Sequence, residues 1–426
     1  MTAAEFLHLA AVGIGVLFFL CSGYQFLYLL PPLLKKEKPR RPAKLHDYAV
    51  LICARNEAAV LPYLLESLRK QDYPAQHITV FVAADNCTDA TAAVARAGGA
   101  VVYERFDTAR VGKGYALQFL LENIRRDYGD AFDGFFVFDA DNLLQPDYIT
   151  CMNRIFSDGY AIVTGYRNSK NYASNWISAG YGLWFLREAE FLNHARALLG
   201  FSCGVSGTGF LFSAQVLHRR GGWNFHLLTE DIQFTVANVL AGDLVGYCPE
   251  AELFDEQPVT FRQSWRQRMR WAKGYIQVFC RYGRQMLAGV FGRGQPGGWR
   301  RRFSCYDMVM VNLPVAVFSA LGLAVQLAAF IAALGSGVPF LSAAAPLIRM
   351  LAGSYLLFLF WGGVTTITQW RHIRAAAAQK VLYTFTFPLF MMTYLPIGIA
   401  ALFCRVEWKP IRHTEAVSLQ EMEHRR

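Results

Sequence analysis

The 426 residues predict an α/β protein, in which a Rossmann-like domain carries α-helical transmembrane segments on both sides. Short apolar runs alternate with helical patterns in the middle of the chain, which is typical of a doubly wound parallel sheet. Four longer apolar stretches lie nearer the ends, each close to the roughly 20 residues that a helix needs to cross a bilayer. Hydrophobic residues make up 54% of the chain and charged residues 17%, which excludes a disordered chain and is unusual for a purely soluble one.

The four apolar stretches cover approximately residues 6–34, 308–334, 347–370 and 381–403. Lys and Arg are absent before the first stretch and frequent directly after it. The positive-inside rule therefore places the following residues in the cytoplasm and predicts a retained anchor, the alternative being a cleaved signal peptide. The fourth stretch contains Pro388 and Pro396. If this stretch crosses the membrane, the C-terminus lies outside. If it lies in the interface or re-enters, the C-terminus stays on the cytoplasmic side.

These features divide the chain into six predicted segments. They are a transmembrane anchor at 1–34, a basic linker at 35–46, a cytosolic domain at 47–260, amphipathic interface helices at 261–300, a transmembrane region at 301–404 and a tail at 405–426. We expect an integral protein of the plasma membrane with the domain at 47–260 on the cytoplasmic side.

The net charge of +10 indicates an acidic partner. Basic residues border the apolar stretches, above all at 261–287, where arginines are interspersed with Trp265, Met269 and Phe279. This pattern is typical of a helix in the headgroup region of a bilayer, although a solvated surface helix shares it. The sequence has no separate basic domain. We therefore expect a lipid bilayer and a phosphate-bearing substrate as partners, and no nucleic acid.

Five apolar runs, at 49–53, 78–83, 101–103, 135–138 and 161–164, are predicted as buried parallel strands. Helical patterns fall between them at 58–69, 89–96 and 114–125. In an open α/β sheet the ligand binds at the carboxyl ends of the strands. A Walker A pattern is absent, because Gly112-Lys113 is followed by Gly114 and not by Ser or Thr.

Polar and acidic residues follow three of these predicted strands. The first strand is followed by Ala54-Arg55-Asn56-Glu57, the second by Asp85 and the fourth by Asp139-Ala140-Asp141. A single Asp after a strand is most often a helix cap or a turn residue, but three such clusters at successive strand ends favour a site. Asp139 and Asp141 can both reach a hard cation such as Mg²⁺, which takes oxygen ligands and keeps substrate phosphates in its other positions.

Two later motifs complete an ordered series. Thr229-Glu230-Asp231 opens a helical pattern, and Gln267-Arg268-Met269-Arg270-Trp271 follows it. The order Asp85, D-A-D, T-E-D, Q-x-x-R-W resembles the membrane-bound family-2 glycosyltransferases, which include cellulose, hyaluronan and chitin synthases. The resemblance covers approximately residues 48–279. It implies a GT-A type fold, a nucleotide-sugar donor that we expect to be a UDP-sugar, inversion at the transferred sugar, and Mg²⁺ or Mn²⁺ as cofactor.

The resemblance also implies a role for each matching residue. Asp231 resembles the catalytic base of the family. The donor would be held by Ala54, Asn56, Glu57, Asp85 and Lys113, the metal ion by Asp141 with Asp139 beside it, and the diphosphate and acceptor by Gln267, Arg270, Trp271, Gly207 and Thr208. General-base catalysis is worth roughly 10²–10⁴-fold, so a carboxylate within reach of the acceptor hydroxyl suits this chemistry.

Several interpretations remain open from the sequence. The favoured hypothesis is synthesis of a growing β-linked polysaccharide at the membrane, and the alternative is a single sugar transfer to a membrane lipid. A membrane scaffold or transporter with a degenerate transferase-like domain is a third class, disfavoured because the acidic motifs are intact. Asp231 could instead be a structural residue at a helix N-terminus, where the helix dipole favours a negative charge. Trp271 could instead anchor the chain at the membrane interface.

Overall fold

The computed structural model describes residues 3–35, 43–293, 298–312, 314–409, 413 and 415–424. Most of the basic linker predicted at 35–46 lies outside the described residues. The described part of the chain forms one sheet with helices on both of its faces, and long apolar helices precede and follow it.

The described residues contain eight strands in one sheet of order β3-β2-β1-β4-β7-β6-β8-β5. The strands are β1 (Tyr48–Ala54), β2 (Ile78–Asp85), β3 (Val101–Arg105), β4 (Gly134–Asp139), β5 (Leu143–Leu144), β6 (Ile162–Ser169), β7 (Phe210–Ser213) and β8 (Val245–Asp255). All five predicted strands are present, and each is longer than the apolar run that predicted it.

The helices divide into those around the sheet and those at the ends of the chain. They are α1 (Ala3–Ser22), α2 (Leu30–Leu34), α3 (Leu61–Arg69), α4 (Thr91–Ala97), α5 (Lys113–Tyr128), α6 (Tyr148–Ser157), α7 (Trp176–Arg187), α8 (Ala195–Leu199), α9 (Ala214–Arg220), α10 (Glu230–Leu240), α11 (Phe261–Val290), α12 (Trp299–Asn312), α13 (Pro314–Gly335), α14 (Phe340–Thr368), α15 (Ala377–Met392), α16 (Tyr394–Phe403) and α17 (Leu419–His424). Short 3₁₀ segments lie at Gly23–Leu29, Ala75–His77 and Tyr172–Ser174, and a π-helical segment at Glu188–His194.

The five predicted strands, β1, β2, β3, β4 and β6, all run in the same direction, but the sheet as a whole is mixed. Strands β3, β2, β1 and β4 are parallel, as are β6 and β8. Strand β7 runs antiparallel to both β4 and β6, and β5 runs antiparallel to β8. The prediction of parallel strands therefore holds for the five strands that it covered, whereas the antiparallel strands β5 and β7 were not predicted.

The parallel half of the sheet brings the predicted polar clusters together. Ala54 of β1 pairs with Ala84 of β2, and Cys53 of β1 pairs with Asp139 of β4. Strands β2, β1 and β4 therefore end side by side at one edge. Alternate residues of β1 pack into separate hydrophobic cores on the two faces of the sheet, which fixes which face each side chain occupies.

Four helical stretches are long and apolar enough to cross a membrane by length and composition: Glu5–Leu34, Val317–Gly335, Phe340–Thr368 and Ala377–Phe403. They correspond to the four predicted stretches. The last consists of α15 and α16, which join at Thr393. The basic segment predicted as one helix or two is the single 30-residue helix α11.

A buried ionic cluster joins the N-terminal apolar stretch to the domain. The Asp307 carboxylate of α12, 2% exposed, accepts hydrogen bonds from Arg196 Nε at 2.6 Å and Nη2 at 3.1 Å. The hydroxyls of Tyr24 and Tyr28 donate to the same carboxylate. Three elements that are distant in sequence thus share one buried charge, which fixes their relative position.

We expect Asp307→Asn to destabilise the protein strongly. The substitution leaves the Arg196 guanidinium buried without its anion, and removing one partner of a buried pair costs about 3–5 kcal/mol. The measurement is the thermal midpoint of the detergent-solubilised protein. Asp127→Asn, which removes an exposed partner of Arg126, is the control and should change the midpoint little. Equal midpoints for the two variants would contradict the assigned role of Asp307.

Candidate active site

A cleft opens at the carboxyl ends of β1, β2 and β4, and α10 and α11 form its opposite wall. Eleven of the thirteen sequence-predicted residues line it, namely Ala54, Glu57, Asp85, Lys113, Asp139, Asp141, Gly207, Asp231, Gln267, Arg270 and Trp271. The structure thus brings together side chains from four separate motifs. The roles assigned to them from the resemblance stay predictions.

The other two predicted residues support the wall of the cleft. Asn56 adopts a left-handed backbone conformation with φ of 58°, and its Oδ1 accepts a hydrogen bond from the Thr88 amide at 2.8 Å. Thr208 is buried, and its Oγ1 accepts a hydrogen bond from the Asp139 amide at 2.9 Å. Direct contact with a donor or acceptor, as predicted for both, stays a prediction. In the structure each residue holds a loop beside a cleft residue.

Asp85 lies at the end of the cleft formed by β2. Its Oδ1 accepts hydrogen bonds from Arg105 Nη1 at 2.6 Å and from Asn86 Nδ2 at 2.9 Å. Burial raises the pKa of Asp85 above its ordinary value, and the Arg105 guanidinium opposes that rise. Arg105 thus keeps a buried acceptor oriented at the cleft.

Lys113 lines the cleft from the first residue of α5. Its Nζ donates hydrogen bonds to Asp139 Oδ1 and, at 2.8 Å, to the Gly207 carbonyl. Burial disfavours the ammonium form, but the carboxylates of Asp139 and Glu230 outweigh it and raise the pKa of Lys113. The next residue, Gly114, packs so closely that a Cβ atom there would lie 2.1 Å from the Phe225 carbonyl oxygen. This glycine allows α5 to begin inside the cleft.

Asp139 and Asp141 have the donor set that a hard divalent cation needs. Asp141 is 3% exposed, and its Oδ2 accepts a hydrogen bond from the Glu256 amide at 2.7 Å. Burial opposes its ionisation, but the charges of His413 and Lys170 outweigh burial and lower the pKa of Asp141. Among the described residues, no group of three or more His, Cys, Asp or Glu side chains could hold a metal ion. Two carboxylates fit a site that substrate phosphates complete.

Two neighbouring carboxylates occupy the first turn of α10. Asp231 is half-buried and faces the cleft, whereas Glu230 is 8% exposed. Burial raises the pKa of Asp231, opposed by the Ile232 amide and by the positive charges of Lys113 and Arg270. Burial and the Asp231 charge raise the pKa of Glu230 to about 7. The position of Asp231 at a helix N-terminus also agrees with the electrostatic interpretation.

The Q-x-x-R-W motif presents its residues to two sides of α11. Arg270 faces the cleft, and its Nη1 donates a hydrogen bond to the Leu228 carbonyl at 3.1 Å. The Trp271 ring contacts Tyr181 edge-on, with centroids 5.7 Å apart. Arg268 points away from the cleft and is completely buried, with its Nη1 bonded to the Phe390 carbonyl at 3.1 Å. Residues two apart on a helix lie on nearly opposite faces. The two arginines of this motif therefore make different contacts, Arg270 at the cleft and Arg268 in the buried interior.

Some cleft residues come from distant segments that no sequence motif marks. Arg167 of β6 bonds to Asp255 of β8, and its guanidinium lies 3.7 Å from the centroid of the Phe185 ring. Glu188, Tyr275 and Glu256 also line the cleft. None of these belongs to a motif with a recognisable spacing. The only signal for Arg167 was that it follows a predicted strand.

The tail also reaches the cleft. Trp408 and Lys409 line it, and the Arg55 guanidinium lies 5.7 Å from the Trp408 ring centroid. His413 Nδ1 is hydrogen-bonded to Glu57 Oε1 at 3.0 Å. Burial disfavours its charged form, but the Asp141 and Glu57 carboxylates raise the pKa of His413 to about 10. His413 is therefore an imidazolium at neutral pH that neutralises part of the acidic cleft.

Comparison with known proteins identifies the family. The model of the family described as "Glycosyltransferase like family 2" matches residues 46–274, more than half of the chain. The chain belongs to glycosyltransferase family 2. This confirms the family predicted from the order of the motifs.

The relatives of the chain act on different acceptors. It is 28% identical over 294 residues to beta-monoglucosyldiacylglycerol synthase of Synechocystis sp., covering 67% of this chain and 58% of that protein. It is 25% identical over 240 residues to poly-beta-1,6-N-acetyl-D-glucosamine synthase of Staphylococcus epidermidis, covering 54% of this chain and 55% of that protein. The chain thus spans a little over half the length of these curated relatives.

A solved structure confirms the fold class. The mannosyltransferase PcManGT of Pyrobaculum calidifontis superimposes with a TM-score of 0.61 at 18% sequence identity. The match covers 93% of this chain and 99% of that one. The GT-A type, Rossmann-like prediction is therefore correct, and the antiparallel strand β7 belongs to this mixed sheet.

We expect Gly207→Ala to reduce turnover far more than stability. Gly207 has φ of 75°, and an added Cβ would lie 3.8 Å from Asp231 Oδ2. A methyl group there would stand in van der Waals contact with Asp231 Oδ2, in space that an acceptor hydroxyl would need to reach that carboxylate, and a reacting group held 1 Å from its productive position can cost roughly 10²-fold in rate. Gly99→Ala is the matched control, because Gly99 has φ of 86° and nothing within 4 Å of an added Cβ. Both variants should lose similar stability, of about 1 kcal/mol, and a Gly207→Ala rate equal to that of the control would contradict this assignment.

We expect turnover to fall on the acidic side at a pH above the ordinary Asp pKa of about 3.9. Asp231 must be ionised to accept a proton, and burial raises its pKa. Glu230→Gln should leave the acidic midpoint of kcat nearly in place, since the Asp231 charge raises the pKa of Glu230 to about 7 and Glu230 is therefore mostly protonated, and uncharged, in acid. The measurement is kcat as a function of pH for both proteins. A midpoint that moves clearly to lower pH in Glu230→Gln would contradict this order of ionisation.

Proposed function

We propose that this protein is an inverting glycosyltransferase, which moves a sugar from a UDP-sugar donor to an acceptor hydroxyl at the membrane. The observation that carries the proposal is the meeting of Asp231, the Asp139–Asp141 pair and Arg270 in one cleft. The motif order and the family membership support the same chemistry. The placement of the domain on the cytoplasmic side of the plasma membrane is part of this proposal.

The donor half of the cleft suits a nucleoside diphosphate. Lys113 and Arg270 supply positive charge, and the planar guanidinium of Arg270 matches the geometry of phosphate oxygens. Asp139 and Asp141 would hold Mg²⁺ or Mn²⁺, and the bound ion would offset the charge that develops on the departing diphosphate. PcManGT was solved with GDP-Man and Mn²⁺, which supports a divalent ion here.

Asp231 would act as the base in a single displacement. The acceptor oxygen forms a bond to the anomeric carbon, and its proton passes to the Asp231 carboxylate. The bond from the anomeric carbon to the diphosphate oxygen breaks, and its electron pair leaves with the diphosphate. One displacement inverts the anomeric configuration, so an α-linked donor gives a β-linked product.

We favour a lipid acceptor and a single transfer, because side chains fill the junction between α7, α11 and α15. Arg268, Tyr181 and Phe390 are fully buried there, and the Arg268 guanidinium lies 4.3 Å from the Phe390 ring centroid. A Cβ on Gly180 would lie 2.4 Å from the Phe390 ring. This dense packing next to Trp271 supports a short acceptor over a growing sugar chain. Trp184, which lines the cleft, contacts Tyr394 at the beginning of α16, so a lipid headgroup could approach from this side.

Synthesis of a β-linked polysaccharide is the second candidate. The Q-x-x-R-W motif resembles that of the large synthases, and one relative is a polysaccharide synthase. The two candidates share the donor and the base and differ in product size.

The test supplies membranes containing the protein with radiolabelled UDP-glucose or UDP-N-acetylglucosamine and Mg²⁺ or Mn²⁺. We expect an organic-soluble product that carries one labelled sugar, and loss of turnover with EDTA. Asp231→Asn should lower the rate roughly 10²–10⁴-fold, whereas the exposed control Asp130→Asn should not. Long glycosidase-sensitive chains would contradict transfer to a lipid and support synthesis of a β-linked polysaccharide. Absence of turnover with every nucleotide-sugar would overturn the proposed function.

A further inference from the structure

A second carboxylate, Glu188, faces the cleft beside Asp231 and outside the metal pair. It lines the cleft together with Asp231, Trp184, Phe185 and Tyr275. The donor chemistry described above does not use it. Glu188 begins the π-helical segment that directly follows α7, and such π-helical turns occur frequently at functional sites.

The Glu188 carboxylate has little to bind within the protein. Among the described residues its hydrogen bond comes from Ser206 Oγ, at the long distance of 3.5 Å. The nearby guanidinium of Arg167 is already engaged by Asp255 and by the Ser206 carbonyl. Glu188 therefore retains acceptor capacity that points into the cleft, and a buried acceptor without a full set of partners is costly unless a ligand supplies them.

The surroundings of Glu188 suit a hydroxylated ring or chain. Tyr275 of α11 is close enough to both Glu188 and Asp231 that their charges, after burial, raise the pKa of its phenol. Trp184, which is only half-buried, adds aromatic surface to the same cleft. Aromatic faces combined with one or two carboxylates provide apolar contact for C–H groups and acceptors for hydroxyl groups.

We propose that Glu188 is a specificity-determining residue, which binds a second hydroxyl of the acceptor while Asp231 receives the proton of the reacting one. This inference rests on the proposed function and narrows its acceptor to headgroups with neighbouring hydroxyls, such as a sugar or a glycerol carrying two free hydroxyls. Two hydrogen-bond acceptors on one cleft wall fix the orientation of such a headgroup. A lipid with a single hydroxyl would leave Glu188 unpaired, and sites built to bind a hydroxyl reject analogues that lack it.

The experiment uses purified full-length protein, UDP-glucose and Mg²⁺ with two acceptor probes. Octyl β-glucoside carries neighbouring hydroxyls, and 1,2-dioctanoylglycerol carries one. We expect the wild-type protein to prefer the glucoside, and Glu188→Gln to lower kcat/KM for the glucoside about 10- to 100-fold. In Glu188→Gln the affinity for UDP and the slow transfer of glucose from UDP-glucose to water should stay within twofold of wild type. Glu190→Gln is the matched control, because Glu190 lies on the same segment and contacts His194 instead of the cleft.

Each outcome decides the proposal. Unchanged transfer in Glu188→Gln, or an equal loss of UDP-glucose hydrolysis, would overturn it. Wild-type protein that hydrolyses UDP-glucose but prefers dioctanoylglycerol would also overturn it, while leaving the glycosyltransferase function intact. Wild-type protein inert towards every nucleotide-sugar would instead overturn the proposed function and this inference with it. If Glu188→Gln fails to fold, monodeoxy octyl glucosides on the wild-type protein provide the same test, since removal of the neighbouring hydroxyl should cost the same 10- to 100-fold.

Discussion

The cleft depends on the pairing of buried or half-buried carboxylates with buried cations. Lys113 bonds to Asp139, Arg105 to Asp85, and Arg167 to Asp255. A charge taken out of water costs several kcal/mol unless an opposite charge and hydrogen bonds compensate. These ion pairs offset the free-energy cost of taking the carboxylates out of water. Because each cation comes from a different element than its anion, the same ion pairs also hold the walls of the cleft in place.

The pairing leaves carboxylates with unused capacity in the cleft. In the proposed function, Asp139 and Asp141 suit a divalent cation and the phosphates that would come with it. Asp231 and Glu188 suit the protons of a hydroxylated acceptor. The cations Lys113 and Arg270 line the same cleft, and they would offset the charge of a departing diphosphate.

The membrane-side elements are fixed to the cleft by buried arginines. Arg268 binds the carbonyl of Phe390 and the hydroxyl of Thr393 where α15 and α16 join, and it lies two and three residues before Arg270 and Trp271, which line the cleft. Arg196 binds Asp307, which also accepts hydrogen bonds from the N-terminal apolar stretch. The domain and the candidate spans therefore pack together, and under the proposed function this packing would hold the cleft at a fixed position relative to a membrane acceptor.

The sequence by itself determined the buried strands, the polar clusters at their ends and the order of the motifs, because hydrophobic periodicity and strand-end chemistry are local properties of the chain. It therefore predicted the family, the four apolar stretches and most of the cleft residues. Only the tertiary structure decided the direction of β7, which of Arg268 and Arg270 faces the cleft, and the contact of His413 with Glu57. It also decided that Glu188 faces the cleft. These depend on packing between segments far apart in sequence, and no local pattern encodes which distant surface a side chain will meet.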